Sequence, residues 1–139
     1  MQKQKDQMLR MEDSMEYNNS KIYTFTDLYV WQESHKLVLM IYTVTKKFPK
    51  EEIFGITSQM RRSAVSITSN IAEGFARRSK KEKLQFYTIA RGSLIELESQ
   101  LLVVRDILYI QTKEFEEVYR QIEISHRLLN AFINKTNDL

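Results

Sequence analysis

The stretch Gly55-Ile-Thr-Ser-Gln-Met-Arg-Arg-Ser-Ala-Val-Ser-Ile-Thr-Ser-Asn-Ile-Ala-Glu-Gly-Phe-Ala-Arg-Arg-Ser-Lys-Lys-Glu82 decides the fold. Within it Met60, Ala64, Ile67, Ile71 and Phe75 recur every three or four residues, the period of an α-helix with one buried face. Ser63, Ser66, Ser69 and Ala72 lie between them, short side chains that let a neighbouring backbone come close. Gly74 is expected to close this helix in the left-handed conformation that helix ends favour. Five of the seven residues from Arg77 to Lys83 are basic, and Ser79-Lys-Lys-Glu82 reads as a capping box that starts the next helix. The segment therefore predicts helix, tight corner, helix, with positive charge gathered at the corner.

Downstream, Leu84, Tyr87, Ala90, Leu94, Leu97, Leu101, Val104 and Leu108 predict the longest helix of the chain. A second apolar row, Phe86, Ile89, Ile95, Leu102, Val103 and Ile107, lies off that stripe and exceeds what one bundle needs, which points to a subunit interface. Gly92, in mid-helix, costs about 1 kcal/mol relative to alanine, a cost expected to serve close packing. Thr112 is expected to cap a fourth helix carrying Phe115, Val118, Ile122, Leu129 and Phe132, with fraying from Asn134 to Leu139.

Upstream, Thr57 or Ser58 is expected to cap the helix of the opening stretch. The linker Phe48-Pro-Lys-Glu-Glu-Ile-Phe-Gly-Ile56 holds Phe48, Ile53, Phe54 and Ile56, too apolar for solvent, and is expected to fold back over one end of the core. Before it, Leu28, Trp31, Val38, Ile41, Tyr42 and Thr45 predict a first helix, capped by Thr26 or Asp27 and stopped by Pro49. Residues 1–23 are polar without sustained apolar period and read as a mobile tail. Four helices joined by short turns, over residues 24–139, predict an all-α, antiparallel up-and-down four-helix bundle in one domain.

Composition agrees. Three glycines and one proline in 139 residues leave little turn chemistry for a sheet. With no cysteine, disulfides, thiolate catalysis and thiolate zinc sites are excluded. No apolar run reaches the roughly 18 residues of a membrane span, and the first residues lack a secretory apolar region, so a cytoplasmic protein without membrane contact is expected. The formal charge is +3, yet the Arg77–Lys83 cluster alone carries five positive charges and one negative, so acidic and basic residues nearly balance elsewhere.

From Phe25 to about Thr136 the chain resembles the four-helix bundle family of 23S ribosomal RNA intervening-sequence proteins. The resemblance rests on Val30-Trp31-Gln32, Phe48-Pro49, Thr57-Ser58-Gln59, Arg61-Arg62, Ser69-Asn70-Ile71-Ala72-Glu73-Gly74, Arg77-Arg78-Ser79-Lys80-Lys81-Glu82 and Ala90-Arg91-Gly92-Ser93-Leu94. One departure is Thr68, where the family usually has proline, which implies a less kinked second helix. The resemblance implies a ring-like homopentamer linked to insertions in ribosomal RNA genes. More distantly the family is similar to the accessory subunit of diversity-generating retroelements, which implies RNA or DNA, a reverse transcriptase or a ribosomal component as partners.

Arg77, Arg78, Lys80, Lys81 and Lys83 are the candidate nucleic-acid contacts: cations near a helix N-terminus supply point charge, bidentate guanidinium geometry and exposed amides for a phosphate backbone. The competing reading is a solvated helix start. Arg61 and Arg62 are candidates to extend that patch, although ion pairs with Glu73, Glu96 or Glu98 would explain them as bundle struts. Asn70 and Glu73 read as packing or capping groups, and Trp31 as core. A ferritin-like metal site needs two Glu-x-x-His pairs, whereas only Glu123-Ile-Ser-His126 fits and His35 is preceded by Gln32. A non-enzyme without cofactor or metal is expected, either a nucleic-acid-binding accessory protein or a protein-interaction scaffold.

Overall fold

The computed structural model describes residues 1–3 and 22–139. The tail expected over residues 1–23 thus falls almost wholly outside the described residues. Four helices account for nearly everything else: α1 (Tyr29–Thr45), α2 (Ile56–Ala76), α3 (Lys80–Asp106) and α4 (Thr112–Asn137), with single 3-10 turns at Phe25–Asp27 and Lys50–Glu52. Short connections reverse the chain each time. Both α1 and α3 pack on α2 and on α4, which makes an antiparallel up-and-down four-helix bundle.

The apolar stripes meet on the bundle axis. Leu37 and Ile41 of α1, Met60, Ile67 and Ile71 of α2, Tyr87, Leu94, Leu97 and Leu101 of α3, and Ile122, Leu128 and Leu129 of α4 are fully buried. Each such side chain contributes roughly 1.5–3 kcal/mol through removal of apolar surface from water. Thr68 sits inside α2, buried, with its hydroxyl donating to the Val65 carbonyl at 3.0 Å.

Gly74 corrects the expected helix end. Helix α2 runs on to Ala76, and no glycine has positive φ among the described residues. What demands glycine is contact: a Cβ there would lie 2.6 Å from Tyr87 Cε1 and 2.8 Å from Cδ1. Gly92 is corrected the opposite way, since a Cβ there meets nothing within 4 Å inside the chain.

Three of the four expected caps fall elsewhere. Thr24 caps the 3-10 turn before α1, while the Asp27 carboxylate accepts the amides of Tyr23 and Thr24 at 2.9 and 3.0 Å; Leu28 precedes α1 without a side-chain cap. At α2 the capping position is Gly55, Thr57 is buried, and the Ser58 hydroxyl donates to the Gly55 carbonyl; Glu52 supplies a carboxylate 3.4 Å from the Ile56 amide instead. Helix α4 starts at Thr112 after Gln111 and continues to Asn137, past the expected fraying point. Ser79 caps α3 as expected, accepting the Glu82 amide at 3.1 Å, but the Glu82 carboxylate does not return a bond to the Ser79 amide, so the expected capping box is half formed.

The linker divides. Phe48 is buried, whereas Ile53 is 52% and Phe54 94% exposed, so the linker does not close the end of the core with those side chains. The turn that carries them is tied by bonds from Glu52 N to Pro49 O (3.0 Å), Ile53 N to Lys50 O (3.2 Å) and Gly55 N to Glu52 O (2.9 Å). On α3, Ile89, Ile95, Val103 and Ile107 of the second row stand exposed, and Leu108 has left the helix at φ 66°, also exposed.

Candidate phosphate-binding corner

Residues 77–79 turn the chain from α2 into α3, and the five cations around that turn do different jobs. Lys83, one turn into α3, reaches back to the end of α2, donating to the carbonyls of Phe75 at 2.8 Å and Gly74 at 3.4 Å, with its ammonium 5.4 Å from the centre of the Phe75 ring. It satisfies orphan carbonyls at the negative end of the α2 dipole. Its partial burial lowers the ammonium pKa from the usual lysine value. Lys83 is therefore engaged as a helix clamp, with its ammonium already bonded inside the chain.

Arg77 donates to the Glu73 carboxylate at 2.9 Å and lies 4.8 Å over the Phe86 ring. Lys80 donates to the Asn137 carbonyl at 3.1 Å, tying the corner to the end of α4. Both remain exposed. Arg78 and Lys81 are exposed and make no side-chain hydrogen bond or ion pair among the described residues. The positive charge open to a ligand thus centres on Arg78 and Lys81, beside the α3 N-terminus, with Arg77 and Lys80 on the flanks.

Arg61 and Arg62 do not extend this corner. They stand fourteen to fifteen residues before Ala76, the last residue of α2, which places them about 22 Å from the corner. Nor do they pair with Glu73, Glu96 or Glu98. Arg61 donates from Nε to Thr45 Oγ1 at 2.9 Å and lies 4.8 Å over the Tyr42 ring, joining α2 to α1, while Arg62 is exposed without a side-chain partner. The two arginines belong to an open cleft of about 370 Å³ lined by Tyr42, Ile53, Ser58, Arg61, Arg62 and Val65. The sequence reading missed this cleft; its one signal was the apolar pair Ile53-Phe54 within a charged linker.

The Ser-Asn segment of α2 forms a seam. Asn70 donates to the Ser66 carbonyl at 2.7 Å and to Ser66 Oγ at 3.0 Å, and the hydroxyls of Ser66 and Ser93 are 2.8 Å apart across the α2–α3 interface. This matches the packing role expected of Asn70, and Glu73 serves Arg77. Trp31 is half-buried at the core margin, stacked on His35 at 4.7 Å and edge-on to Phe25. Among the described residues no group of three or more His, Asp or Glu side chains is placed to hold a metal, and no helix is long and apolar enough to cross a membrane.

The family described as 23S rRNA-intervening sequence protein matches residues 26–131. The chain belongs to that family. Its fold is similar to that of a protein of unknown function from the S23 ribosomal protein family of Bacteroides thetaiotaomicron, known from a crystal structure. That protein is 24% identical, and the superposition covers 76% of this chain and 95% of that one at a TM-score of 0.70. No curated protein matches the chain. The family match takes in the whole corner from Arg77 to Lys83 and stops short of Asn137, the partner of Lys80.

Proposed function

We propose that this chain is a non-enzymatic, oligomeric nucleic-acid-binding protein whose α2–α3 corner holds phosphate backbone. The observation that carries the reading is the pair Arg78 and Lys81, both exposed and both without an internal partner, at the N-terminus of α3. Unpaired surface cations are available to phosphates without the cost of breaking a bond, and neutralising phosphates releases counterions. Membership of a family described by ribosomal RNA intervening sequences supports an RNA or DNA ligand. Backbone contacts alone carry no sequence information, so base preference should be weak.

The test is titration of fluorescein-labelled RNA and DNA against salt. Binding should fall steeply, each neutralised phosphate contributing roughly −0.7 to −0.9 to the slope of log K against log salt. Arg78→Gln with Lys81→Gln should reduce that slope by about 1.4–1.8. Adding Arg77→Gln and Lys80→Gln should weaken binding further, and His126→Ala should leave it unchanged. Absence of binding to any nucleic acid at low salt would overturn the reading. A scaffold for another protein is the second reading, favoured by the exposed pair Ile53 and Phe54.

A further inference from the structure

Phe54 is a large apolar side chain left in solvent by a backbone that is itself held fast. At 94% exposure its ring has both faces free, yet the turn beneath it is closed by three main-chain hydrogen bonds. The neighbouring cleft brings Ile53 against Arg61 and Arg62, and no acidic side chain lines it. Glu52, the nearest carboxylate in sequence, is turned inward beside the Ile56 amide. Arg61 is stacked on Tyr42, while Arg62 has no partner. Phe54 follows Ile53, a lining residue of the cleft that holds the free Arg62 guanidinium, so this end of α2 offers the two elements that a single strand uses: a flat apolar platform for a base and a cation for a phosphate.

The outer face of α2 connects this cleft to the corner. Arg62, Ser69 and Glu73 follow at spacings of seven and four and are all exposed, so they share one side of the helix, and Arg77, just past its end, pairs with Glu73. Val65 is the one large apolar side chain exposed along that strip, and its single acid, Glu73, is neutralised by Arg77. Nothing along it would repel a backbone running from one basic end to the other. The distance of about 22 Å corresponds to about six or seven stacked nucleotides at roughly 3.4 Å each.

We infer that a single-stranded nucleic acid lies along the outer face of α2, its phosphates on Arg78 and Lys81 at one end and on Arg62 at the other, with one base stacked on Phe54. This rests on the phosphate-binding reading of the corner and adds to it a second contact, a strand length and a preference for single strands. A protein partner at the same cleft is the competing occupant; the absence of acidic lining and the polar strip leading to the corner favour the strand.

The experiment compares fluorescein-labelled oligo-dT of four to twelve residues and a twelve-base-pair duplex at low salt, using the full chain. Affinity of the wild type for oligo-dT should climb until about seven nucleotides and then level. Phe54→Ala should weaken binding to the ten-mer by about tenfold, leave the duplex unchanged and remove the length step, while Phe54→Trp should restore the single-strand affinity. Arg62→Gln should lower the salt slope for the ten-mer by about 0.7. Both positions are exposed, so the variants keep the fold, which far-ultraviolet circular dichroism checks. If wild type binds and the corner variant loses binding, but Phe54→Ala and Arg62→Gln bind the ten-mer like wild type, this inference is overturned and the corner reading stands. It is equally overturned if Phe54→Ala changes the sedimentation coefficient without changing oligo-dT affinity, which would make Phe54 a contact between proteins. If wild type binds no oligonucleotide, both readings fail together.

Discussion

Two glycines in adjacent helices show how differently the same residue type can be required. At Gly74 the Tyr87 ring occupies the space a methyl group would need, with Phe86 Cβ a further 3.0 Å neighbour. Tyr87 is fully buried in the core, so its ring has nowhere to retreat. Gly74→Ala should therefore cost about 1–3 kcal/mol, as overpacking does, and lower the melting temperature by roughly 3–10 °C. Gly92 meets nothing within 4 Å, so Gly92→Ala removes only backbone freedom from the unfolded chain. In unassembled protein it should add about 0.5–1 kcal/mol. Thermal unfolding of the two variants side by side checks both signs; equal effects at the two positions would contradict the packing described.

At the scale of elements, the α2–α3 corner is where local signals suffice. Ser79 caps α3 through the Glu82 amide, a contact between residues three apart, and the serine was readable as such in the sequence. Ser79→Ala should cost about 1 kcal/mol. Ser79→Asp should keep the cap, because aspartate serves that position equally well, yet it places a carboxylate between Arg78 and Lys81 and should weaken nucleic-acid binding several-fold. Calorimetry and the binding titration thereby separate fold from function at one residue. The apolar stripes of α2, α3 and α4 were legible for the same reason, since helical period is written in neighbouring residues. The starts of α1, α2 and α4 were not. Glu52 reaches the α2 start from outside the helix, Thr24 caps an extra 3-10 turn, and Thr57 is buried rather than free to cap. The division of labour among the corner cations was hidden as well, because Lys83 and Lys80 are recruited by carbonyls eight and fifty-seven residues away, and Arg61 by Thr45 across the bundle. Composition marked Ile53 and Phe54 as apolar, but whether a tied turn points them inward or outward is a tertiary outcome.

For the whole molecule, the outer face of α3 is the feature that a lone bundle leaves unexplained. Ile89, Ile95, Val103 and Ile107 are each about half exposed, and Gly92 opens a smooth place among them without any neighbour in its own chain. Apolar area of this kind is covered in most soluble proteins, and a second copy of the chain is the cover we propose, in a ring of five subunits as the family resemblance suggests. Sedimentation velocity at micromolar concentration should then show one closed oligomer. Ile95→Lys with Val103→Lys should dissociate it while leaving helicity and the buried core intact, since neither side chain contributes to the interior. Dissociation has a functional consequence. A ring repeats the Arg78–Lys81 corner on every subunit, so a long nucleic acid bound at several corners gains from effective concentration, whereas a short oligonucleotide that reaches one corner does not. The double lysine variant should therefore lose about a hundredfold or more in affinity for a long single strand and little for a ten-mer, the added lysine charge working against any loss. A wild-type monomer at micromolar concentration would dismiss the ring. Equal losses for long and short strands would instead place the α3 face in direct contact with the nucleic acid.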